Sequence, residues 1–164
     1  MYGSNEHLVT TLEQHPNSAY SHPMLHATYD SDNPFALILS GKLPAARILE
    51  TPRTLAIMDA FPQSRGHCLV IPKAPARNLL DVSRKDLSAV TDSVQVVARA
   101  VEKALKPDGI VVTQFNGAPA GQTVFHLHVH IIPRYRGAAE APHGGGQASM
   151  EELQKLADLI KSHL

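Results

Sequence analysis

Residues 122–134 read QTVFHLHVHIIPR, so His126, His128 and His130 alternate with Phe125, Leu127, Val129 and Ile131. In a strand, side chains two apart share a face. The three imidazoles therefore project together, roughly 6–7 Å apart along the strand by the rise per residue, and the apolar residues between them bury. Near neutral pH imidazole can ligate a metal, move a proton or attack an electrophile. As ligands, His126 and His128 could share a zinc ion with His67 as the third donor from another element. The segment just before the row points elsewhere. Residues 116–123, NGAPAGQT, are small and uncharged, with Asn116, Gln122 and Thr123 as neutral donors. Gly121 lets the backbone approach a ligand closely, and such a loop suits an anion such as phosphate. A zinc site has no need of it. A histidine row beside a phosphate cradle suggests attack of a neutral imidazole on phosphorus, with neighbouring imidazoles fixing the tautomer and serving the leaving group. Backbone and amide donors would stabilise charge on the nonbridging oxygens.

The elements that must hold these residues follow from pattern. Residues 1–31 are rich in Ser, Asn and His without sustained periodicity, and are expected to form an extension that orders in part, for instance against a partner subunit. His7, His15, His22 and His26 are irregularly spaced within it and read as scattered surface residues. In NPFALILSGKLP, Asn33 is a suitable N-cap and Pro34 a suitable first helical residue, with Gly41 and Pro44 as stops. Residues 46–50 and 54–59 read as a hairpin turning at 51–53, and 67–72 as a short central strand. A helix of about twenty residues follows, capped by Ser83 with Asp86 three on. Its apolar stripe is Leu87, Val90, Val94, Val97 and Val101, and Pro107 and Gly109 end it. Residues 109–115 form a strand, and the histidine strand runs to about Ile132. A Gly-rich connector then leads to an amphipathic helix on Leu153, Leu156, Leu159 and Ile160; His143 and His163 receive no role. The order is helix, three strands, long helix, two strands, helix, which is an α+β antiparallel meander.

The 164-residue chain supports one domain, and 43% hydrophobic with 18% charged residues reads as globular. Fifteen basic and fifteen acidic residues balance. That gives no sign of a nucleic-acid coat or polybasic membrane patch, and any anionic ligand must be held by a local site. Cys68 is the sole cysteine, which rules out an intrachain disulfide and a cysteine zinc knuckle. No apolar run approaches the ~20 residues of a membrane span, so the cytoplasm is the expected compartment.

QTVFHLHVHIIPR resembles the signature of the histidine triad (HIT) superfamily, His-φ-His-φ-His-φ-φ with φ apolar. The likeness extends from about Asp32 to Tyr135 and includes MDAFPQSRGHCLVIPK at 58–73. It implies a HIT domain over 32–135, with 136–164 as linker and C-terminal helix packing on the same domain. The implied fold is a five-stranded antiparallel sheet with one long and one or two shorter helices, dimerising into a continuous ten-stranded sheet. The implied activity is nucleotidyl hydrolysis or transfer through a covalent nucleotidyl-histidine. By the same resemblance His128 is the nucleophile on the α-phosphorus, and His130 contacts the phosphate and aids departure of the leaving group. His126 and His67 orient the nucleophile. Asn116, Gly121, Gln122 and Thr123 contact the phosphate, Asp59 binds the ribose hydroxyls, and Phe35, Ile38 and Ile57, with Ala60 at the edge, form the base slot. Plain core packing is an alternative for the apolar residues, and turn formation for Asp59.

Many family members carry a Cys-x-x-Cys zinc pair before the first helix. Here that stretch is NPFA, so no such structural zinc is expected. His130 argues against the uridylyltransferase branch, where Gln stands there. PQSRGHCLVIPK lies nearer the Hint-like purine nucleoside phosphoramidase branch, whereas GQTV and IPR are shared with the dinucleoside polyphosphate hydrolases. The combined expectation is a homodimeric hydrolase of a purine nucleoside 5′-monophosphate derivative of the adenosine phosphoramidate type. It requires no cofactor, a divalent ion entering only with a polyphosphate substrate. The rivals are a dinucleoside polyphosphate hydrolase, a zinc-dependent hydrolase and a non-catalytic nucleotide-binding or interaction protein.

Overall fold

The computed structural model describes residues 23–139 and 146–164. The expectations for residues 1–22, including His7, His15 and His22, and for His143 lie outside the described residues. A single helical turn, α1 (Pro23–His26), precedes α2 (Pro34–Leu39). Three strands follow, β1 (Arg47–Glu50), β2 (Thr54–Met58) and β3 (Cys68–Pro72), then the long helix α3 (Arg84–Leu105). β4 (Gly109–Thr113), β5 (Val129–Arg134) and α4 (Met150–Lys161) complete the chain.

All five strands join one antiparallel sheet in the order β1-β2-β3-β5-β4. The first three form a meander. The last two exchange places, because α3 carries the chain across the sheet and β4 lands at the edge, leaving β5 to fill the centre. Among the described residues no helix is long and apolar enough to cross a membrane.

The helix starts follow from their caps. Asn33 Oδ1 accepts from the backbone N–H groups of Phe35 and Ala36, both at 3.0 Å, and Pro34 occupies the first turn. Ser83 caps α3 by accepting from the Asp86 N–H at 3.1 Å. That helix ends at Leu105, two residues before Pro107, with Lys106 in the left-handed conformation. α3 and α4 bury Val97, Val101, Leu153 and Ile160 against one face of the sheet, on Ala56, Met58, Cys68, Val70 and Ile131. α2 covers the other face, with Phe35 and Ile38 on Leu55, Ile57, Leu69 and Ile71. The histidine chemistry lies on the α2 side, since His130 stands in register with Leu69.

The histidine strand is shorter than its alternation suggests. β5 begins at Val129, so His126 and His128 precede it. Their segment leaves the ladder because the Leu127 N–H bonds the Ala76 carbonyl at 2.7 Å. His126, His128 and His130 are all buried.

Candidate active site

β2 and β3 pair up to Met58 opposite Cys68, and one further bond joins the Asp59 N–H to the His67 carbonyl at 3.0 Å. The strand ends thus bring Asp59 and His67 together, and β5 sets His130 beside them. His67 Nδ1 accepts from the Gln63 N–H at 3.1 Å, so the neutral ring carries its proton on Nε2. That N–H donates to His130 Nδ1 at 3.0 Å, which leaves the His130 proton on Nε2. Asp59 Oδ2 lies 3.4 Å from His67 Nε2 and 4.0 Å from His130 Nδ1. Its Oδ1 accepts from the Phe61 N–H at 2.8 Å, which fixes the carboxylate in place.

The other two histidines form a second chain. The His126 and Pro72 carbonyls can only accept, so the tautomers follow. His128 Nδ1–H donates to the His126 carbonyl at 2.7 Å, and the lone pair of His128 is on Nε2. His126 Nε2–H donates to the Pro72 carbonyl at 2.9 Å. Its Nδ1 accepts from the Tyr29 hydroxyl at 2.5 Å. Burial pushes the His126 imidazole down to about 4, outweighing the opposite pull of the Pro72 hydrogen bond. It is neutral at pH 7. The His128 and His130 rings meet edge to face with centroids 4.9 Å apart, and Phe35 packs on His128 at 5.0 Å.

His128 and His130 line a cleft of about 440 Å³ together with Thr123, Asp59, Phe35 and Ile57. His126 and His67 are buried and absent from this lining. Ile38 is absent from the cleft lining and packs in the cluster that also holds Phe35, Leu55, Ile57 and Ile71. Two of the proposed phosphate donors are turned into the protein. The Gln122 amide accepts from the Gly117 N–H at 2.8 Å and donates to the Arg77 and Val124 carbonyls at 2.6 and 3.0 Å. It clamps the base of the loop. Asn116 Oδ1 accepts from the Leu79 N–H at 2.9 Å, and its amide pairs with Gln114. Gly121, at φ +101°, ends a 3₁₀ turn over Ala118–Ala120. Thr123 is exposed and is the member of the four with its side chain at the cleft.

Sequence reasoning missed Leu43, Phe61, Gln147 and Met150, which rim the cleft. It also missed Tyr29. No local pattern marks any of them, since tertiary packing alone brings them to the histidines. Among the described residues, the set whose ligand atoms lie close enough for one ion is Asp59, His67 and His130, within 4.8 Å of one another. The zinc set of His126, His128 and His67 is not assembled. An ion at the former would need the two nitrogens that now share the His67–His130 proton, so ion and relay exclude each other. Burial pushes the Cys68 thiol up and leaves it no nucleophilic role.

A HIT domain family model matches residues 40–137, more than half of the chain. A HIT-like protein of Bartonella henselae, described as involved in cell-cycle regulation, superposes with a TM-score of 0.78 at 43% identity, covering 84% of this chain and all of that one. The Bacillus subtilis protein named Protein hit is 34% identical over 135 residues, 79% of this chain and 92% of its own length. Adenylylsulfatase HINT3 of Arabidopsis thaliana is 32% identical over 142 residues, 84% of this chain and 72% of its own length. With the matched domain spanning β1 to β5 and both histidine-bearing segments, the chain belongs to the HIT domain family.

Proposed function

We propose that this protein is a nucleotidyl hydrolase, cleaving a P–N or P–O bond at the α-phosphate of a purine nucleoside 5′-monophosphate derivative through a nucleotidyl-His128 intermediate. The observation that carries the reading is the 2.7 Å bond from His128 Nδ1–H to the His126 carbonyl, which sets the lone pair on Nε2. A nucleophile held in one tautomer needs no base to activate it. In the first step His128 Nε2 bonds to phosphorus and the bond to the leaving group breaks. A leaving amine takes one proton from solvent, while His130 Nε2–H hydrogen-bonds the reacting phosphoryl group. In the second step water adds to phosphorus, the P–N bond to His128 breaks, and its electron pair returns to Nε2. One proton goes back to solvent, so the cycle balances.

Neutral donors suit this phosphate, with Thr123 at the cleft. Asn116 and Gln122 act by shaping the loop, and Gly121 admits its backbone close to the ligand. Asp59 takes the ribose hydroxyls, and Phe35 and Ile57, rimmed by Leu43, Phe61 and Met150, take the base. The Arabidopsis relative's name supports an oxyanion leaving group on an adenylyl phosphorus as the P–O variant of the same reaction.

A homodimer in the cytoplasm completes the reading. Both sheet edges are short, but β1 is bulged between Arg47 and Leu49 and bears charges, which blunts pairing. β4 pairs with β5 in even register and leaves Val111 and Val112 39% and 51% exposed, consecutive residues on opposite faces. A second β4 alongside it would extend the sheet to ten strands. The test of function compares the parent with His128→Ala and His128→Gly on adenosine phosphoramidate. Both variants should lose at least about a thousandfold in turnover. Parental rates in either would end the nucleophile assignment. Diadenosine polyphosphates and adenylyl sulfate in the same assay rank the leaving groups.

A further inference from the structure

Tyr29 lies before α2, outside the matched domain, and is absent from the cleft lining, yet its hydroxyl reaches His126 Nδ1 at 2.5 Å. The ring also meets the imidazole edge to face, with centroids 5.6 Å apart. This approach is built and not incidental. The buried Asn78 amide donates to the Leu25 carbonyl at 2.9 Å, and Arg77 donates to the Thr28 carbonyl at 3.1 Å. Leu25 closes over Gly117, its Cδ2 3.2 Å from where a Cβ would stand. Residues 25–29 are therefore strapped across the phosphate loop.

His126 is held at three points. Tyr29 donates to Nδ1, Pro72 accepts from Nε2, and the next peptide N–H, of Leu127, bonds Ala76. Its carbonyl is the acceptor for His128 Nδ1–H. We infer that Tyr29 is a positioning residue for nucleotidyl transfer: its O–H pins the His126 ring, whose tautomer Pro72 sets, and through the His126 carbonyl it holds the aim of His128. Without that donor the buried Nδ1 loses the Tyr29 bond, and the ring, still bound to Pro72, shifts together with its peptide. The His128 bond loosens, and a share of His128 moves its proton to Nε2, where it cannot attack. The loss falls on the chemical step, because Tyr29 does not line the cleft.

The inference rests on the nucleotidyl-transfer reading, and the experiment keeps the two apart. Full-length Tyr29→Phe retains the ring and removes the hydroxyl. With adenosine phosphoramidate, kcat should fall about 5–10-fold, the effect of one lost hydrogen bond, with KM within about twofold. Ring ¹⁵N spectra of His126 and His128 provide a readout independent of turnover. The parent should show His126 protonated on Nε2 and His128 on Nδ1; in Tyr29→Phe the His126 Nδ1 resonance should move and His128 should become a tautomer mixture. Unchanged kcat in the variant of an active parent overturns the inference. So does a lower kcat explained by a smaller folded fraction with unchanged ¹⁵N shifts. An inactive parent whose ¹⁵N shifts still respond to Tyr29→Phe overturns the substrate reading and leaves the Tyr29–His126 link standing.

Discussion

Lowering the pH from 7 to 5 should cost this protein about 2 kcal/mol through His126 alone. Burial takes the group from 6.5 to about 4, so the unfolded chain binds its proton first as pH falls. The stability of the neutral buried ring is fully present above about pH 6.5 and disappears as pH drops toward 4. Between those values the slope is about 1.4 kcal/mol per pH unit, with a limit of about 3 kcal/mol below pH 4. Other groups shift the same way at lower pH. A hydrogen bond from Lys73 holds the Glu50 carboxyl down, and one from Ser83 does the same for Asp86. Comparison with His126→Gln removes these common contributions. Urea unfolding of parent and variant at pH 7, 6 and 5 should give the parent a steeper decline, the gap changing by about 2 kcal/mol. Equal pH slopes, or an NMR titration of His126 near its ordinary value, would refute the assignment of a buried neutral ring.

Three further perturbations test other links. Gly66 has φ +89°, and a Cβ there would stand 2.2 Å from Leu105 Cδ1 and 3.3 Å from Pro133 Cγ. Gly66→Ala should destabilise by about 1–3 kcal/mol and reduce turnover by displacing the adjacent His67; a melting curve like the parent's would contradict this. Val112→Lys on the exposed edge of β4 should turn the proposed dimer into a monomer in sedimentation velocity while leaving the thermal unfolding of the single domain nearly unchanged. Exhaustive chelation should leave the rate with adenosine phosphoramidate intact, because the proposed chemistry uses imidazole and solvent protons only; loss restored by zinc would favour the metal rival.

What the sequence disclosed was mostly local. Asn33 and Ser83 announce their helices because a cap satisfies its own neighbours' N–H groups, and the apolar stripe of α3 needs only helical spacing. The pairing of Asp59 with His67 was not legible, because the expected hairpin joined β1 to β2 and said nothing of the register between β2 and β3. The start of β5 was not legible, since the Leu127 N–H is claimed by Ala76, a bond that no alternation encodes. Gln122 illustrates a different limit. An amide in a Gly-rich loop reads the same whether it faces a ligand or, as here, the backbone of its own loop. Ile38 fits an apolar slot by type, and its residue type alone does not tell the cleft lining from the cluster behind it. Tyr29 and Met150 reach the site from opposite ends of the described chain, and nothing in their own surroundings marks them.

The central claim is that His128 carries the nucleotide. Rapid mixing of the protein with adenosine phosphoramidate, an alkaline quench that spares a nucleotidyl-imidazole, and mass spectrometry of the digested chain would test it directly. The account predicts a transient adenylyl adduct on the peptide containing His128, formed faster than AMP is released and missing from His128→Ala. AMP accumulating with no adduct at any mixing time, or an adduct on a different residue, would contradict it.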